Sequence, residues 1–108
     1  MVLVTISITA SARGRRDILR ALRVLAPPTR ARPGCLGVHL LQGVDNRNAI
    51  TWIEEWDSED ALKRHIRSDE YRTLLAVVDM SMREPEVRFH TIAKTAGMEL
   101  IAACRNCK

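Results

Sequence analysis

The segment spanning residues 50–66 constrains the fold most strongly, because a strand pattern changes there directly into a helix pattern. Side chains alternate between the two faces of a strand. One face of this strand is therefore predicted to carry Ile50, Trp52, Glu54 and Trp56. Ser58 is a favourable helix N-cap, and two acidic residues follow it in the first turn, where negative charge suits the helix dipole. His65 comes about two turns later, so the tryptophan-bearing strand face and this histidine could border one cleft.

Alternation of apolar residues predicts the other strands of an antiparallel sheet. The predicted strands are Val2–Thr9, Cys35–Gln42, Ala49–Trp56 and Val87–Ala93, with an optional fifth at Met98–Ala103. Between the second and third strands, a polar stretch at 43–48 predicts a hairpin loop.

Helical periodicity appears in two regions. An apolar stripe predicts a first helix over Arg13–Leu25, and Pro27 and Pro28 are expected to end it. A second helix is predicted to begin at Ser58 and to be interrupted near Ser68, where a new capping sequence appears.

The resulting order is β-α-β-β-α-β, which predicts an α+β, ferredoxin-like antiparallel sheet with both helices on one face. Apolar residues nevertheless occur on both faces of the first and third strands. Because the helices would leave one sheet face bare, we expect a second copy of the chain to cover it. The sequence therefore predicts a homodimer.

Charge is distributed unevenly along the 108 residues. The formal net charge is +4, yet residues 1–33 contain seven arginines and only one acidic residue, Asp17. Such a basic segment could attract nucleic acid or an anionic ligand. A solvated outer helix face is the simpler interpretation, and the absence of stacking aromatics in this segment argues against nucleic acid as a partner.

The cysteines do not predict a disulfide scaffold, because three of them cannot all pair within one chain. Cys104 and Cys107 form a single Cys-x-x-Cys pair, whereas a structural zinc site usually needs four ligands. Two tails of a dimer could supply four sulfurs, but a tail with reduced thiols is the simpler interpretation. The chain is accordingly divided into a domain at 1–103 and a C-terminal tail at 104–108.

No cofactor or metal is predicted. The five glycines are scattered and match no nucleotide-binding fingerprint. His39, His65 and His90 lie on different predicted elements without metal-ligand spacing. No apolar run is long enough for a membrane span, and the N-terminal run alternates like a strand instead of resembling a signal peptide. We therefore expect a cytoplasmic protein.

Several residues are candidates for chemistry, and each also has a purely structural interpretation. His65 is the best candidate base, because imidazole titrates near neutral pH, although it could simply pack at the end of a helix. Trp56 and Trp52 could stack on a flat ring and donate from their indole N–H groups, or belong to the core. Glu54 would be costly to bury without a partner, so it is expected to be solvated, paired or a second base. Tyr71 could orient a substrate hydroxyl.

Two residues of the fourth strand, Arg88 and His90, are predicted to share a face. Either could bind an anionic group of a substrate, although both could equally be surface residues.

The sequence resembles the antibiotic biosynthesis monooxygenase (ABM) domain, a dimeric α+β barrel, over about residues 2–103. The segments that carry the resemblance are 30–36 (RARPGCL), 55–62 (EWDSEDAL), 65–71 (HIRSDEY) and 74–75 (LL). The resemblance implies a cofactor-independent oxygenase that acts on a quinol, phenolic or polyketide-like aromatic with O2, in a cleft between the helices and the sheet.

The resemblance also bears on individual positions. Ser7 falls where related haem-degrading proteins carry an asparagine, and Trp56 matches their cleft-facing tryptophan. Their iron-ligating histidine would fall near Leu75, which cannot bind a metal, so this departure argues against haem. A non-catalytic, ligand-binding or regulatory barrel is the alternative function, because the fold alone does not determine activity.

Overall fold

The structure is a computed structural model, and it describes residues 1–106. The elements in chain order are β1 (Val2–Thr9), α1 (Arg15–Arg30), β2 (Cys35–Gln42), β3 (Ala49–Trp56), α2 (Glu59–Ile66), α3 (Asp69–Val78), β4 (Glu86–Thr91) and α4 (Met98–Asn106). The four strands form one antiparallel sheet in the order β2-β3-β1-β4. The predicted α+β, ferredoxin-like architecture is confirmed.

The central strands β1 and β3 have one buried and one half-buried face. Along both strands, every second residue is buried and the intervening residues are partly exposed. The register pairs Ile6 of β1 with Trp52 of β3, so both side chains lie beneath the helices. The period-two pattern in the sequence therefore identifies the core face of both strands.

Helix α1 continues five residues beyond the predicted end, so the expectation that Pro27 and Pro28 end it is wrong. Prolines inside a helix remove two backbone donors, but the carbonyl groups left without partners belong to the exposed residues 23 and 24, where water can bond them. The last turn is held by side chains. The Thr29 hydroxyl donates to the Leu25 carbonyl at 2.8 Å, and the Arg30 guanidinium donates to the Val38 carbonyl at 2.9 and 3.2 Å.

The predicted interruption after the third strand is confirmed, and it separates α2 from α3. Ser58 and Ser68 cap the two helices, and each hydroxyl accepts a hydrogen bond from the backbone N–H three residues later. The Ser68 hydroxyl also donates to the His65 carbonyl at 2.6 Å, so the same residue closes α2 and opens α3. This junction between the two helices fixes the direction in which the His65 side chain projects from α2.

The C-terminal part departs from the sequence prediction. Strand β4 begins one residue earlier than predicted and ends two residues earlier. The optional strand at Met98–Ala103 is wrong, because these residues belong to helix α4. The segment is rich in alanine, leucine, methionine and glutamate, which favour a helix over a strand. Cys104 lies in α4, whereas Cys107, the second member of the Cys-x-x-Cys pair, lies outside the described residues.

The helices α1, α2 and α3 cover one face of the sheet, and we call the other the open face. Its central positions are Thr5, Ser7, Thr51 and Ile53, all half-buried in the single chain. Among the described residues, no helix is both long and apolar enough to cross a bilayer.

Gly34 fixes the junction between β2 and α2. Its φ of +87° lies in the left-handed region, and a Cβ atom there would lie 2.5 Å from Ala61 Cβ and 2.7 Å from Asp57 Oδ1. Its carbonyl also accepts from the Asp57 N–H at 2.8 Å. Only glycine combines this backbone conformation with such close approach of α2.

We therefore expect Gly34→Ala to lower the free energy of unfolding by about 2–4 kcal/mol, because strain of the left-handed backbone adds to overpacking. Urea denaturation monitored by circular dichroism would measure the change. Gly37→Ala is the matched control, since its Cβ would meet only the flexible ends of two side chains, His39 at 3.3 Å and Glu55 at 3.7 Å. Equal losses in both variants would contradict this explanation.

Candidate functional site

A buried carboxylate lies at the centre of the helix-covered sheet face. Glu54 has no solvent-exposed surface, and its neighbours on the same face of β3 are Trp52 and Trp56. The Trp52 indole Nε1–H donates to Oε2 at 2.7 Å, and the Trp56 indole Nε1–H donates to Oε1 at 2.8 Å. Each carboxylate oxygen therefore receives one short hydrogen bond from a residue two positions away along the strand.

His65 completes the cluster from helix α2. It is 1% exposed, and its ring lies against the Trp56 indole with 4.9 Å between ring centroids and 29° between the planes. His65 Nε2 lies 3.4 Å from Glu54 Oε2, within ion-pair range. The contact lacks hydrogen-bond geometry, and both ring nitrogens are without a hydrogen-bond partner among the described residues. A buried imidazole in this state has donor or acceptor capacity to offer.

Tyr71 borders the same histidine from helix α3. Its ring meets the His65 ring edge to face, with centroids 5.2 Å apart, and the residue is 6% exposed. Burial and the nearby Glu54 charge both raise the pKa of Tyr71 above its ordinary value. Its hydroxyl therefore stays protonated across the physiological range and can act as a donor.

The pKa of Glu54 reflects a competition between burial and its partners. Burial is the largest influence and by itself raises the pKa, because it disfavours the charged form. The His65 imidazole and the two indole donors act in the opposite direction and outweigh burial, so the pKa lies below its ordinary value. The two indole bonds alone require an acceptor on each oxygen, which supports the ionised form. We call Glu54, Trp52, Trp56 and His65 the carboxylate cluster.

The carboxylate cluster has little free space beside it. The cavity that contacts Trp52 beneath the helices has a volume of about 10 Å³, which is room for about one water molecule. The residues that close it from the helix side are Leu22 of α1 and Leu74 and Val78 of α3. The expected open cleft is therefore nearly filled by side chains in the single chain.

The structure brings together five of the residues predicted for the site: Trp52, Glu54, Trp56, His65 and Tyr71. It also changes what the tryptophans can offer. Both indole N–H groups are bound to Glu54, and one face of Trp56 is covered by His65, so neither N–H group is directed at an open cleft.

Three predicted residues lie on the other side of the sheet. Ser7 is on the open face, where its hydroxyl pairs with that of Thr51 at 3.1 Å. Arg88 and His90 of β4 pair in register with Thr5 and Leu3, and thus belong to the same face. The structure does not place these three residues in the carboxylate cluster.

Sequence reasoning identified Glu54 only as one of several candidates and missed that it organises the others. The signal was present in the sequence, because an acidic residue two positions from each of two tryptophans places all three on one strand face. The Ser7–Thr51 hydroxyl pair was also missed, since cross-strand partners depend on register. Among residues 1–106, no group of three acidic, histidine or cysteine side chains is arranged to hold a metal ion.

Comparisons with known proteins agree with the fold and with this strand-to-helix arrangement. The sequence model described as antibiotic biosynthesis monooxygenase matches residues 1–77, which is most of the chain. This chain belongs to the antibiotic biosynthesis monooxygenase family. The match includes β1, β3 and α2, and therefore the whole carboxylate cluster. Comparison with curated proteins gave no significant match.

Solved structures show the same architecture. A protein from Deinococcus radiodurans, assigned to the antibiotic biosynthesis monooxygenases, has a TM-score of 0.81 at 18% identity, covering 90% of this chain and 97% of its own. Rv0793 from Mycobacterium tuberculosis has a TM-score of 0.79 at 24% identity, covering 89% and 98%. A conserved protein from Methanosarcina mazei Go1 has a TM-score of 0.76 at 22% identity, covering 82% and 89%. At such identities the likeness establishes the fold.

We expect Glu54→Gln to lower the free energy of unfolding by about 2–4 kcal/mol at pH 7, because the amide cannot accept a bond at both of its ends and an indole donor is left unpaired. The folded pKa of Glu54 is lowered, so its contribution is complete above the unfolded value and is lost as the pH falls through the folded value. Urea denaturation at pH 7 and at about pH 3 would measure both effects.

The control for this prediction is Glu55→Gln on the open face, where the carboxylate is partly exposed and pairs with His39. We expect a loss below about 1 kcal/mol there. If Glu54→Gln lowered the free energy of unfolding equally at neutral and at acidic pH, the ionised carboxylate would not be the stabilising species.

Proposed function

We propose that this member of the family is a cofactor-independent monooxygenase that oxidises a quinol, phenolic or polyketide-like aromatic with O2. The observation that supports the proposal best is the His65 imidazole, which is buried against an ionised carboxylate and retains a nitrogen without a protein partner. A base of this kind can take a proton from a hydroxyl that enters an apolar site.

In this proposal His65 and Glu54 work as a pair. A proton on Nε2 faces Glu54 Oε2, and Nδ1 is then free to accept the proton of a substrate hydroxyl. The resulting imidazolium is stabilised by the Glu54 charge at 3.4 Å. Trp52 and Trp56 hold the carboxylate in place and are therefore positioning residues, whereas the protonated Tyr71 hydroxyl can donate to a developing oxyanion.

The chemistry balances without a cofactor. The phenolate passes one electron to O2, and the aryloxyl radical combines with superoxide at a ring carbon to form a peroxide anion. His65 returns its proton to the terminal oxygen of this anion, which gives a hydroperoxide. The hydroperoxide then loses water, which takes the hydrogen of the same ring carbon, and a carbonyl is left. A phenol with an unsubstituted ring position and O2 thus give a quinone and water.

Substrate entry must widen the space beside Trp52, because an aromatic ring is far larger than the 10 Å³ cavity. Leu74 and Val78 are the side chains to be displaced, since they close that space from α3. Both lie in the later part of α3, beyond the Ser68 cap that bonds the His65 carbonyl and beyond Tyr71, whose ring edge meets the His65 ring.

A non-catalytic binding or regulatory protein is the second candidate function. The observation that favours it is the environment of Glu54, which is sealed from solvent and bonded at both oxygens. Buried carboxylates that are hydrogen-bonded in this way also occur as purely structural features of a core. This function predicts a ligand that raises the melting temperature and is recovered unchanged.

The open face supports a homodimer as the working form. It carries half-buried apolar and small polar residues on adjacent strands, without helical cover. Packing against the same face of a second copy would remove this surface from water. The proposed ligands are a small aromatic molecule and O2, and the proposed location is the cytoplasm; neither a membrane nor nucleic acid is proposed as a partner.

We expect His65→Ala to lower oxygen uptake with a responsive quinol by at least about 100-fold, because it removes the proposed base. The measurement is uptake by an oxygen electrode, with product analysis, in metal-free and flavin-free buffer. His39→Ala is the matched control, since His39 also pairs with a glutamate, at 3.2 Å, but lies on the sheet face opposite the carboxylate cluster.

The melting temperature of each variant separates loss of the base from loss of the fold. A folded His65→Ala protein that retains full turnover would contradict the role of His65. Absence of uptake by the wild-type protein across a quinol panel, together with ligand-induced stabilisation, would favour the binding function instead.

For the dimer, we expect Ile53→Glu to yield a monomer, because it places a charge at the centre of the open face between Thr5 and His39. Light scattering coupled to size-exclusion chromatography would measure the mass. Val24→Glu on α1 is the control, since Val24 is 69% exposed and lies outside this face. A monomeric wild-type protein, or a dimeric Ile53→Glu variant, would contradict the proposed interface.

A further inference from the structure

We infer that helix α4 of one copy binds in an apolar groove of a second copy, so that two chains exchange their C-terminal helices. The groove lies between α2 and the β1–β4 edge of the sheet. The inference rests on the homodimer proposed above but not on the oxygenase activity. It concerns a different surface from the open face.

Helix α4 lacks the packing that a helix of its length needs. It has nine residues and none of them is buried, and Met98, Leu100 and Ile101 are each more than half exposed. Isolated helices shorter than about 12–15 residues are marginal in water, and most helical stability in proteins comes from packing an apolar face. An apolar helix of nine residues therefore requires a surface that residues 1–106 of its own chain do not supply.

The groove offers such a surface. It has a volume of about 190 Å³, and its apolar lining comes from Val2, Leu62, Ile66 and Phe89. Phe89 is 49% exposed, although it lies on the helix side of the sheet. The groove is therefore an uncovered continuation of the core, and it can accept a side chain the size of Met98 or Ile101.

The polar rim of the groove matches the charges of α4. Glu59 and Lys63 stand at the rim and pair with each other at 3.3 Å. Helix α4 carries Glu99 in its first turn and Arg105 in its last turn. One acidic and one basic residue on each side allow complementary pairing across the contact.

A second copy is the favoured occupant because the path of the chain leads α4 away from its own groove. Thr91 lines the groove at the end of β4, and α4 begins seven residues later without returning to the groove. The molecule is correspondingly elongated, with a longest dimension of 52 Å and a radius of gyration of 16.1 Å, compared with about 13 Å for a compact chain of this length. In a two-fold dimer, one reciprocal exchange would cover both helices and both grooves.

The exchange would also bear on the carboxylate cluster. Leu62 and Ile66, which line the groove, flank His65 on helix α2. A partner helix seated against them would hold α2 from its outer side. The partner chain would then support the position of the proposed base without contacting it.

Disulfide trapping between two distinguishable chains tests the exchange. Both chains carry Cys35→Ser and Cys107→Ser, so that no other thiol is present. The donor chain keeps Cys104 on α4, and the acceptor chain carries Cys104→Ser with Ile66→Cys at the groove. The control acceptor carries Leu75→Cys in place of Ile66→Cys, because Leu75 is similarly exposed on α3 but lies outside the groove.

The expected result is a reducible donor–acceptor dimer with Ile66→Cys, at a yield at least tenfold above that with Leu75→Cys. A third chain carries both Cys104 and Ile66→Cys, and a disulfide within that one chain at high dilution would overturn the exchange. Light scattering and oxygen uptake on the same samples separate the proposals. Dimers without the Cys104 cross-link overturn only the exchange, monomers overturn both the exchange and the homodimer, and absence of uptake bears on the oxygenase alone.

Discussion

The structure depends on how one buried charge is accommodated. Removing a carboxylate from water without partners would cost more than the core of a small domain can supply. Glu54 is tolerated because two indole donors at 2.7 and 2.8 Å replace its hydration, and because His65 stands within ion-pair range. Charge-assisted bonds of this kind are stronger than neutral ones and fix direction as well as energy. The tryptophans therefore serve as hydrogen-bond donors in addition to filling the core.

This requirement connects the strand to the helices that cover it. His65 can reach Glu54 only if α2 ends where it does, and Ser68 determines that end by bonding the His65 carbonyl and capping α3. At the other end of α2, Gly34 lets the β2 entry approach Ala61 closely. Ser68 and Gly34 thus place α2 so that the His65 imidazole lies within ion-pair distance of Glu54. The break between α2 and α3 is part of the site and not merely a turn.

Much of this could be predicted from the sequence, and the failures have physical causes. Period-two alternation located β3 and placed Trp52, Glu54 and Trp56 on one face, because strand geometry leaves no alternative. The prolines do not end α1, since a bond within the helix from Thr29 and a tertiary bond from Arg30 to β2 hold a last turn that local propensity would end. The α4 segment is predicted as a strand because a short apolar segment fits both the strand period and the helix period. That the indole N–H groups serve Glu54 could not be foreseen, since side-chain rotamers and the placement of α2 decide it.

A sealed cluster and a reacting cluster are compatible only if the motion that admits substrate avoids Glu54. Displacing either indole would leave the buried Glu54 charge without one of its donors, and moving α2 would separate that charge from His65. The α3 side carries no such penalty, because Leu74 and Val78 close the small cavity with apolar contacts alone. Opening there exposes apolar surface that an aromatic ligand would cover again. The contacts of the carboxylate cluster therefore leave α3 as the side of the cavity that can move. The cluster would remain rigid while α3 adapts to the ligand.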